Sequence, residues 1–204
     1  MNFFVNFLYW DLLFFLGLIT EGGLIIYFFF KKHPPSVIIL RKIYFFYLFF
    51  LIFYALGLSG LNYYFWKNQD FTNKFLPPFT PISYFFRYSF QYFYFEIILR
   101  IVFSLTIFFA LDFFNKKFKE KFFYQEEKYL ASLAILVLGW PVSFFYLFFV
   151  FFLGIIYHLI LILFLKKNTR VSFLMFWPIV ALLTLFLNDI ILKIPFFKSL
   201  KINL

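Results

Sequence analysis

The sequence has no cysteine and only two histidines, and these two absences exclude several kinds of chemistry. Without cysteine there is no disulfide, no thiolate metal site and no thiol nucleophile. His33 and His158 are too few for a histidine-rich metal site. We therefore expect no metal or other cofactor.

Acidic residues are also scarce: nine Asp and Glu stand against 19 Lys and Arg, for a formal net charge of +10. In a soluble protein this balance suggests nucleic acid. Here the basic residues sit mostly in short loops between apolar runs, where positive charge sets membrane orientation and meets anionic headgroups. We therefore predict the lipid bilayer, and no nucleic acid, as the partner of this charge.

Apolar side chains are what the sequence has in abundance. Hydrophobic residues make up 65% of the chain, and 42 of its 204 residues are Phe. Apolar runs of about 20 residues, which are long enough to cross a hydrocarbon layer of roughly 30 Å, recur along it. The composition predicts one integral membrane domain over residues 1–204, an all-α polytopic bundle of five or six spans, in a bacterial inner membrane or an organellar inner membrane.

Proline pairs, glycine and charged loops divide the apolar runs. Residues 82–95 mix Tyr with polar side chains and are predicted to be interfacial or re-entrant. Gly139-Trp140-Pro141 interrupts a longer run, which predicts a short half-helix followed by a full span. The predicted full spans are Trp10–Phe30, Ile43–Trp66, Glu96–Phe114, Pro141–Leu165 and Val171–Leu192.

The basic residues predict an orientation. With the N-terminus outside and five spans, twelve positive charges fall inside and five outside, as the positive-inside rule favours. The inside set is Lys31, Lys32, Arg41, Lys42, the five lysines between residues 116 and 128, Lys193, Lys198 and Lys201, and the outside set is Lys67, Lys74, Lys166, Lys167 and Arg170.

Asp70 and the Glu126-Glu127 pair are the candidate catalytic residues. Asp70 follows an apolar span, and the two glutamates stand directly before the predicted half-helix. Two carboxylates at helix ends can share one proton, so that one acts as a base on water and the other as an acid. This is the logic of an aspartic protease. The alternative is that all three are solvated loop charges.

The C-terminal part of the chain carries an ordered series of features that resembles the type IV prepilin peptidases, a family of membrane aspartic proteases. The resemblance implies that Asp70 and Glu127 take the catalytic positions, with Glu126 as a substitute for Glu127. It also implies cleavage of leader peptides from membrane-inserted, pilin-like precursors. The features are Glu127-Lys128-Tyr129-Leu130-Ala131, Leu138-Gly139-Trp140-Pro141, Gly154, Lys166-Lys167 and Phe176-Trp177-Pro178-Ile179, with Asp70 and Pro77 upstream.

The chain departs from the family pattern where its second motif, GxGD, would stand. That stretch reads Tyr124-Gln125-Glu126-Glu127, without either glycine and with Glu for Asp. The resemblance therefore implies an active or a catalytically degenerate member. An active site formed by Asp70 and Glu127 also requires both residues to lie on the same face of the membrane. The chain must therefore cross the membrane an even number of times between them. The alternative is a non-catalytic structural subunit of a membrane complex, such as an organellar respiratory assembly, in contact with other membrane subunits.

Three other polar features lie inside the apolar runs. Glu21 is near the middle of the first span and is predicted to pair with Arg87 or Arg100. Glu96 and Arg100 are four residues apart and can neutralise one another on one helix face. His158 is predicted to be a hydrogen-bonded packing residue rather than a proton relay.

Overall fold

The structure is a computed structural model that describes residues 3–31, 33–119, 123–165 and 173–200. Over these residues the chain is helical without strands, which confirms the all-α prediction. In chain order the elements are α1 Phe3–Lys31, α2 Val37–Lys67, a 3-10 turn Thr72–Phe75, α3 Ile82–Ser89, a π-helical turn Phe90–Tyr94, α4 Phe95–Lys117, α5 Gln125–Leu138, α6 Val142–Leu165, α7 Phe176–Phe186, α8 Asn188–Ile191 and α9 Pro195–Leu200.

Four of the described helices are long and apolar enough to cross a membrane: α1, α2, the continuous helix Ile82–Lys117 and α6. The helix Ile82–Lys117 has 36 residues and α2 has 31. The predicted last span, 171–192, corresponds to α7, which has 11 residues, and the four-residue α8. At 1.5 Å per residue α7 is about 16 Å long, shorter than the hydrocarbon layer. Residues 171 and 172 lie outside the described residues.

The segment 82–95 does not reverse direction, so the re-entrant alternative for it is wrong. The chain passes from α3 through the π-helical turn into α4 as one helix. Its first part carries a cluster of aromatic rings, with centroids 4.7 Å apart for Trp66 and Tyr88 and 4.4 Å apart for Tyr88 and Tyr92. Such amphipathic rings suit the end of a membrane helix at the lipid–water boundary.

The predicted half-helix is α5, and α6 runs back beside it to form the α5–α6 hairpin. The α5 helix ends at Leu138, and Gly139 has a φ of 73°, a backbone conformation that favours glycine. Early in α6, Phe144 packs on Phe103 with ring centroids 4.8 Å apart. Further along, Phe151 packs on Phe123, which precedes α5. The α6 helix therefore returns toward the end where α5 begins.

The α5 helix is the core of the bundle. Every side chain from Tyr129 to Leu138 is between 0 and 7% exposed, because α1, α2, α4, α6 and α7 surround the helix. Ala131, Ser132 and Ala134 are small enough to let neighbouring helices approach closely. A 14-residue helix buried on all sides can end inside the bundle if its terminal polar groups find partners there.

Basic residues collect where α1 and α4 end and α2 and α5 begin, and we call this the basic end. Because α6 returns to it, the prediction that α6 ends on the opposite side is wrong. Of the basic residues named in the predicted orientation, six lie outside the described residues: Lys32, Lys121, Lys166, Lys167, Arg170 and Lys201.

The C-terminal tail, the residues after 192, was predicted to lie on the same side as the basic end, and this prediction is wrong. Trp140 Nε1 at the tip of the α5–α6 hairpin donates to the carbonyl oxygen of Leu200 at 3.0 Å. The tail therefore lies beside the tip and not at the basic end.

Candidate functional site

Glu127, a predicted catalytic residue, is in the first turn of α5 and is 0% exposed. Its Oε1 accepts a hydrogen bond from the backbone N–H of Phe173 at 3.1 Å. The carbonyl of Phe173 in turn accepts from the N–H groups of Phe176 and Trp177 at the start of α7. A carboxylate near a helix N-terminus is favoured by the helix dipole. Glu127 therefore joins the beginning of α5 to the beginning of α7.

Asp112 of α4 holds the same end of the bundle together. Lys128 Nζ lies 2.5 Å from Asp112 Oδ1, and Lys116 Nζ lies 2.7 Å from Oδ2. One turn further along α4, Asn115 Nδ2 donates to the carbonyl oxygen of Tyr124 at 3.3 Å. Sequence reasoning assigned no role to Asp112. The four-residue spacing of Asp112 and Lys116 could have predicted an ion pair on one helix face. The contact with Lys128 depends on tertiary structure and could not have been predicted in this way.

Arg100 of α4 satisfies the other end of α5. It is 4% exposed, and its Nη2 lies 2.6 Å from Glu96 Oε1, which confirms the predicted pairing of these two residues. Its Nη1 faces the carbonyl oxygens of Val137 and Leu136 at 3.4 and 3.5 Å. A cation at the C-terminus of a helix interacts favourably with the helix dipole. The guanidinium therefore acts as the cap of a helix that ends inside the bundle.

Gly139 is required where this cap approaches the backbone. A Cβ built at position 139 would overlap the guanidinium of Arg100, and the φ of 73° is strained for any side chain. Between the two ends of α5, Ser104 Oγ donates to the carbonyl oxygen of Ser132 at 2.8 Å, and the Tyr44 hydroxyl lies 3.1 Å from Ser104 Oγ. Polar groups of α4 thus contact α5 along its length: Arg100 near its end, Ser104 near its middle and Asp112 near its start.

The structure does not bring Asp70 to Glu127. Asp70 is exposed between α2 and the 3-10 turn, and this loop packs at the end of α2 through contacts between Phe75, Trp66 and Tyr84. Glu127 directly precedes Lys128, which contacts Asp112 near the other end of the helix Ile82–Lys117. Along that helix, the distance from Tyr84 to Asp112 is about 40 Å. Glu126 is half-buried in the same helical turn as Glu127 and is equally remote from Asp70.

The remaining polar residues do not pair as predicted. Glu21 is 1% exposed and its Oε1 has no hydrogen-bond partner among the described residues. Arg100 is paired with Glu96 and Arg87 is exposed on α3, so neither makes the predicted ion pair with Glu21. The Nδ1 of His158 makes no hydrogen bond within the described ranges. No group of three or more His, Asp or Glu side chains that could hold a metal ion occurs in the described parts of the chain.

Comparison of this chain with protein-family models, curated proteins and solved structures gave no match. The resemblance to prepilin peptidases therefore stays a prediction.

Proposed function

We propose that this chain is a non-catalytic, multi-pass structural subunit of a membrane assembly, in a bacterial or organellar inner membrane. One observation carries the proposal: the acidic residues at the basic end hold helices together. The Glu127 carboxylate accepts the N–H of Phe173, and both oxygens of Asp112 are engaged by lysines. These acids act as structural contacts of α5.

The burial and separation of the acids support a structural role. A general base must reach a water molecule, and an acid–base pair must share one site. The side chain of Glu127 is 0% exposed. Asp70, its predicted partner, lies at the opposite end of the helix Ile82–Lys117, in which Tyr84 and Asp112 are about 40 Å apart. This arrangement favours a stable bundle over a hydrolytic site.

The second half of α6 offers a surface for a neighbouring subunit. Ile155, Leu159 and Leu163 are 60%, 49% and 70% exposed. His158 lies among them and is half-buried; its Nδ1 is buried and makes no hydrogen bond within the described residues, so a neighbouring helix would reach the ring through Nε2. A histidine in an apolar membrane helix is costly and commonly hydrogen-bonds to another helix. We propose that a transmembrane helix of another subunit packs on this part of α6 and forms a hydrogen bond with Nε2 of His158.

Site-specific photo-crosslinking in native membranes tests this proposal. A photoreactive amino acid at Leu159 is compared with the same residue at Phe53, which is 68% exposed on α2. We expect one protein adduct at position 159 and lipid adducts alone at position 53. His158→Leu should lower the adduct yield at 159 several-fold. Lipid adducts alone at both positions would contradict the subunit proposal.

A membrane aspartic protease is a second candidate, and one observation favours it in a revised form. Lys128 connects Asp112 to the helical turn that contains Glu126 and Glu127. Asp112, rather than Asp70, would then be the partner of one of these glutamates, and pilin-like precursors would be the substrates. An assay of precursor cleavage in proteoliposomes decides between the two functions. Cleavage that is lost in Asp112→Asn and kept in Asp70→Asn would establish the protease; no cleavage by the unaltered chain favours the structural subunit.

A further inference from the structure

A groove separates α1 from α2, although a short connection joins these two helices. Its volume is about 540 Å³, and its walls include Ile19 and Leu24 from α1 and Ile43 from α2. Gly23 also lines it, and a Cβ built on Gly23 would meet nothing within 4 Å. Two helices joined by so short a connection usually pack directly against one another. Here the open space runs along their facing sides.

The interior of the groove is apolar. Thr20 lines it, but the hydroxyl of Thr20 is bonded to the carbonyl oxygens of Leu16 and Gly17 at 2.9 and 3.1 Å. A helix with its side chains is about 10–12 Å across. A groove of this volume therefore suits a single hydrocarbon chain better than the helix of a partner protein.

A positive charge lies in the wall of the groove at the basic end. Lys42, in the second turn of α2, lines the groove and is exposed, and no carboxylate of the described residues forms an ion pair with it. Tyr27 lines the same end and brings an amphipathic ring. Lysines at this position on a membrane helix extend their ammonium group toward the headgroup layer.

We propose that the α1–α2 groove binds one anionic glycerophospholipid. One acyl chain lies along Ile19, Gly23 and Ile43, and the phosphate meets the ammonium group of Lys42. The positive charge of Lys42 favours an anionic headgroup, whereas the apolar walls contact the acyl chain of any lipid equally well. This lipid fills the space between α1 and α2. The inference does not depend on the proposed structural function.

Lipid photo-crosslinking to the full chain in nanodiscs tests this proposal. The probes are phosphatidylglycerol and phosphatidylcholine, each with a diazirine in the acyl chain, and adducts are mapped by peptide mass spectrometry. We expect phosphatidylglycerol adducts in α1 and α2 residues of the groove, at a yield several-fold above phosphatidylcholine. Lys42→Gln should remove the preference for phosphatidylglycerol and leave phosphatidylcholine labelling unchanged.

Because a Cβ at position 23 meets nothing within 4 Å, Gly23→Leu extends an apolar side chain into the groove and should reduce adducts of both lipids. Gly60→Leu is its matched control, because Gly60 also has open space around it, is exposed on α2 and lies outside the groove. This control should label like the unaltered chain. Equal labelling by the two lipids that does not respond to Lys42→Gln would overturn the proposal. A photoreactive amino acid placed at position 23 that gives adducts between two copies of the chain would overturn it as well, because a protein would then occupy the groove.

Discussion

At the scale of single residues, two buried charged side chains, Glu127 and Arg100, stabilise the two ends of α5. Glu127 contacts the backbone at the start of α7, and Arg100 contacts the last carbonyl groups of α5. Each charge also meets the favourable end of a helix dipole. A charged side chain inside an apolar bundle is therefore tolerated here because it replaces the water that a helix end needs.

Substitution of Glu127 distinguishes a structural carboxylate from a catalytic one. Glu127→Gln keeps a side-chain oxygen that can accept the N–H of Phe173, so we expect little loss of stability. Glu127→Ala leaves that buried N–H without its acceptor and should cost about 1–3 kcal/mol. Thermal unfolding in detergent micelles measures the difference. Equal destabilisation by both variants would show that the negative charge itself is needed.

Gly139→Ala should destabilise the protein. Alanine at a φ of 73° is strained, and its Cβ would displace the Arg100 guanidinium from the end of α5. We expect a loss of about 1–3 kcal/mol from the backbone strain, and more from the displaced cap. The control is Gly60→Ala, which meets open space in α2 and should be neutral or stabilising by up to about 1 kcal/mol. Unfolding midpoints of the two variants would be compared, and equal midpoints would contradict the role given to Gly139.

The Glu96–Arg100 pair should show strong coupling in a double-mutant cycle. Arg100 is 4% and Glu96 17% exposed, so this pair is screened far less than a surface pair. Arg100→Met alone leaves the carbonyls of α5 and the Glu96 carboxylate without their donor, and we expect a loss of about 3–5 kcal/mol. Adding Glu96→Gln should recover part of that loss. Additive effects in unfolding experiments would show that the two side chains act independently.

At the scale of helices, the sequence predicted the positions of elements better than their directions. The predicted spans Trp10–Phe30 and Ile43–Trp66 lie inside α1 and α2, because long apolar runs between charged loops are a local signal. The half-helix was also predicted, because Gly139-Trp140-Pro141 interrupts the pattern. The direction of α6 was not, because a turn that reverses the chain inside a bundle depends on what surrounds it.

The candidate site shows the same division between local and tertiary information. The pairing of Glu96 with Arg100 was predicted correctly, because four residues separate them on one helix. Asp112 was missed, because its contact with Lys128 joins α4 to α5. Glu127 was identified as important from its place directly before the predicted half-helix, and its contact with Phe173 joins residues far apart in the sequence. Composition alone carried no information about that contact.

At the scale of the whole molecule, the positions of Asp70 and Glu127 predict the outcome of a topology experiment. The chain has no cysteine, so single cysteines can replace Asn68 and Gln125, two exposed residues, without removal of any other thiol. We expect a membrane-impermeant maleimide to label them from opposite sides of the membrane, because the helix Ile82–Lys117 separates them. Sealed vesicles of known orientation provide the measurement, and labelling from the same side would contradict the arrangement described above.

The burial of α5 has a consequence for how the protein is made. At 14 residues α5 is too short to be inserted as an independent span, and its neighbours come from both earlier and later parts of the chain. During synthesis, α1, α2 and α4 emerge before α5, but α7, which packs on it, emerges only later, together with Phe173, whose N–H donates to Glu127. The core therefore stays incomplete until the ribosome has released α7. The synthesis of α7 therefore sets the time at which the helices around α5 can close.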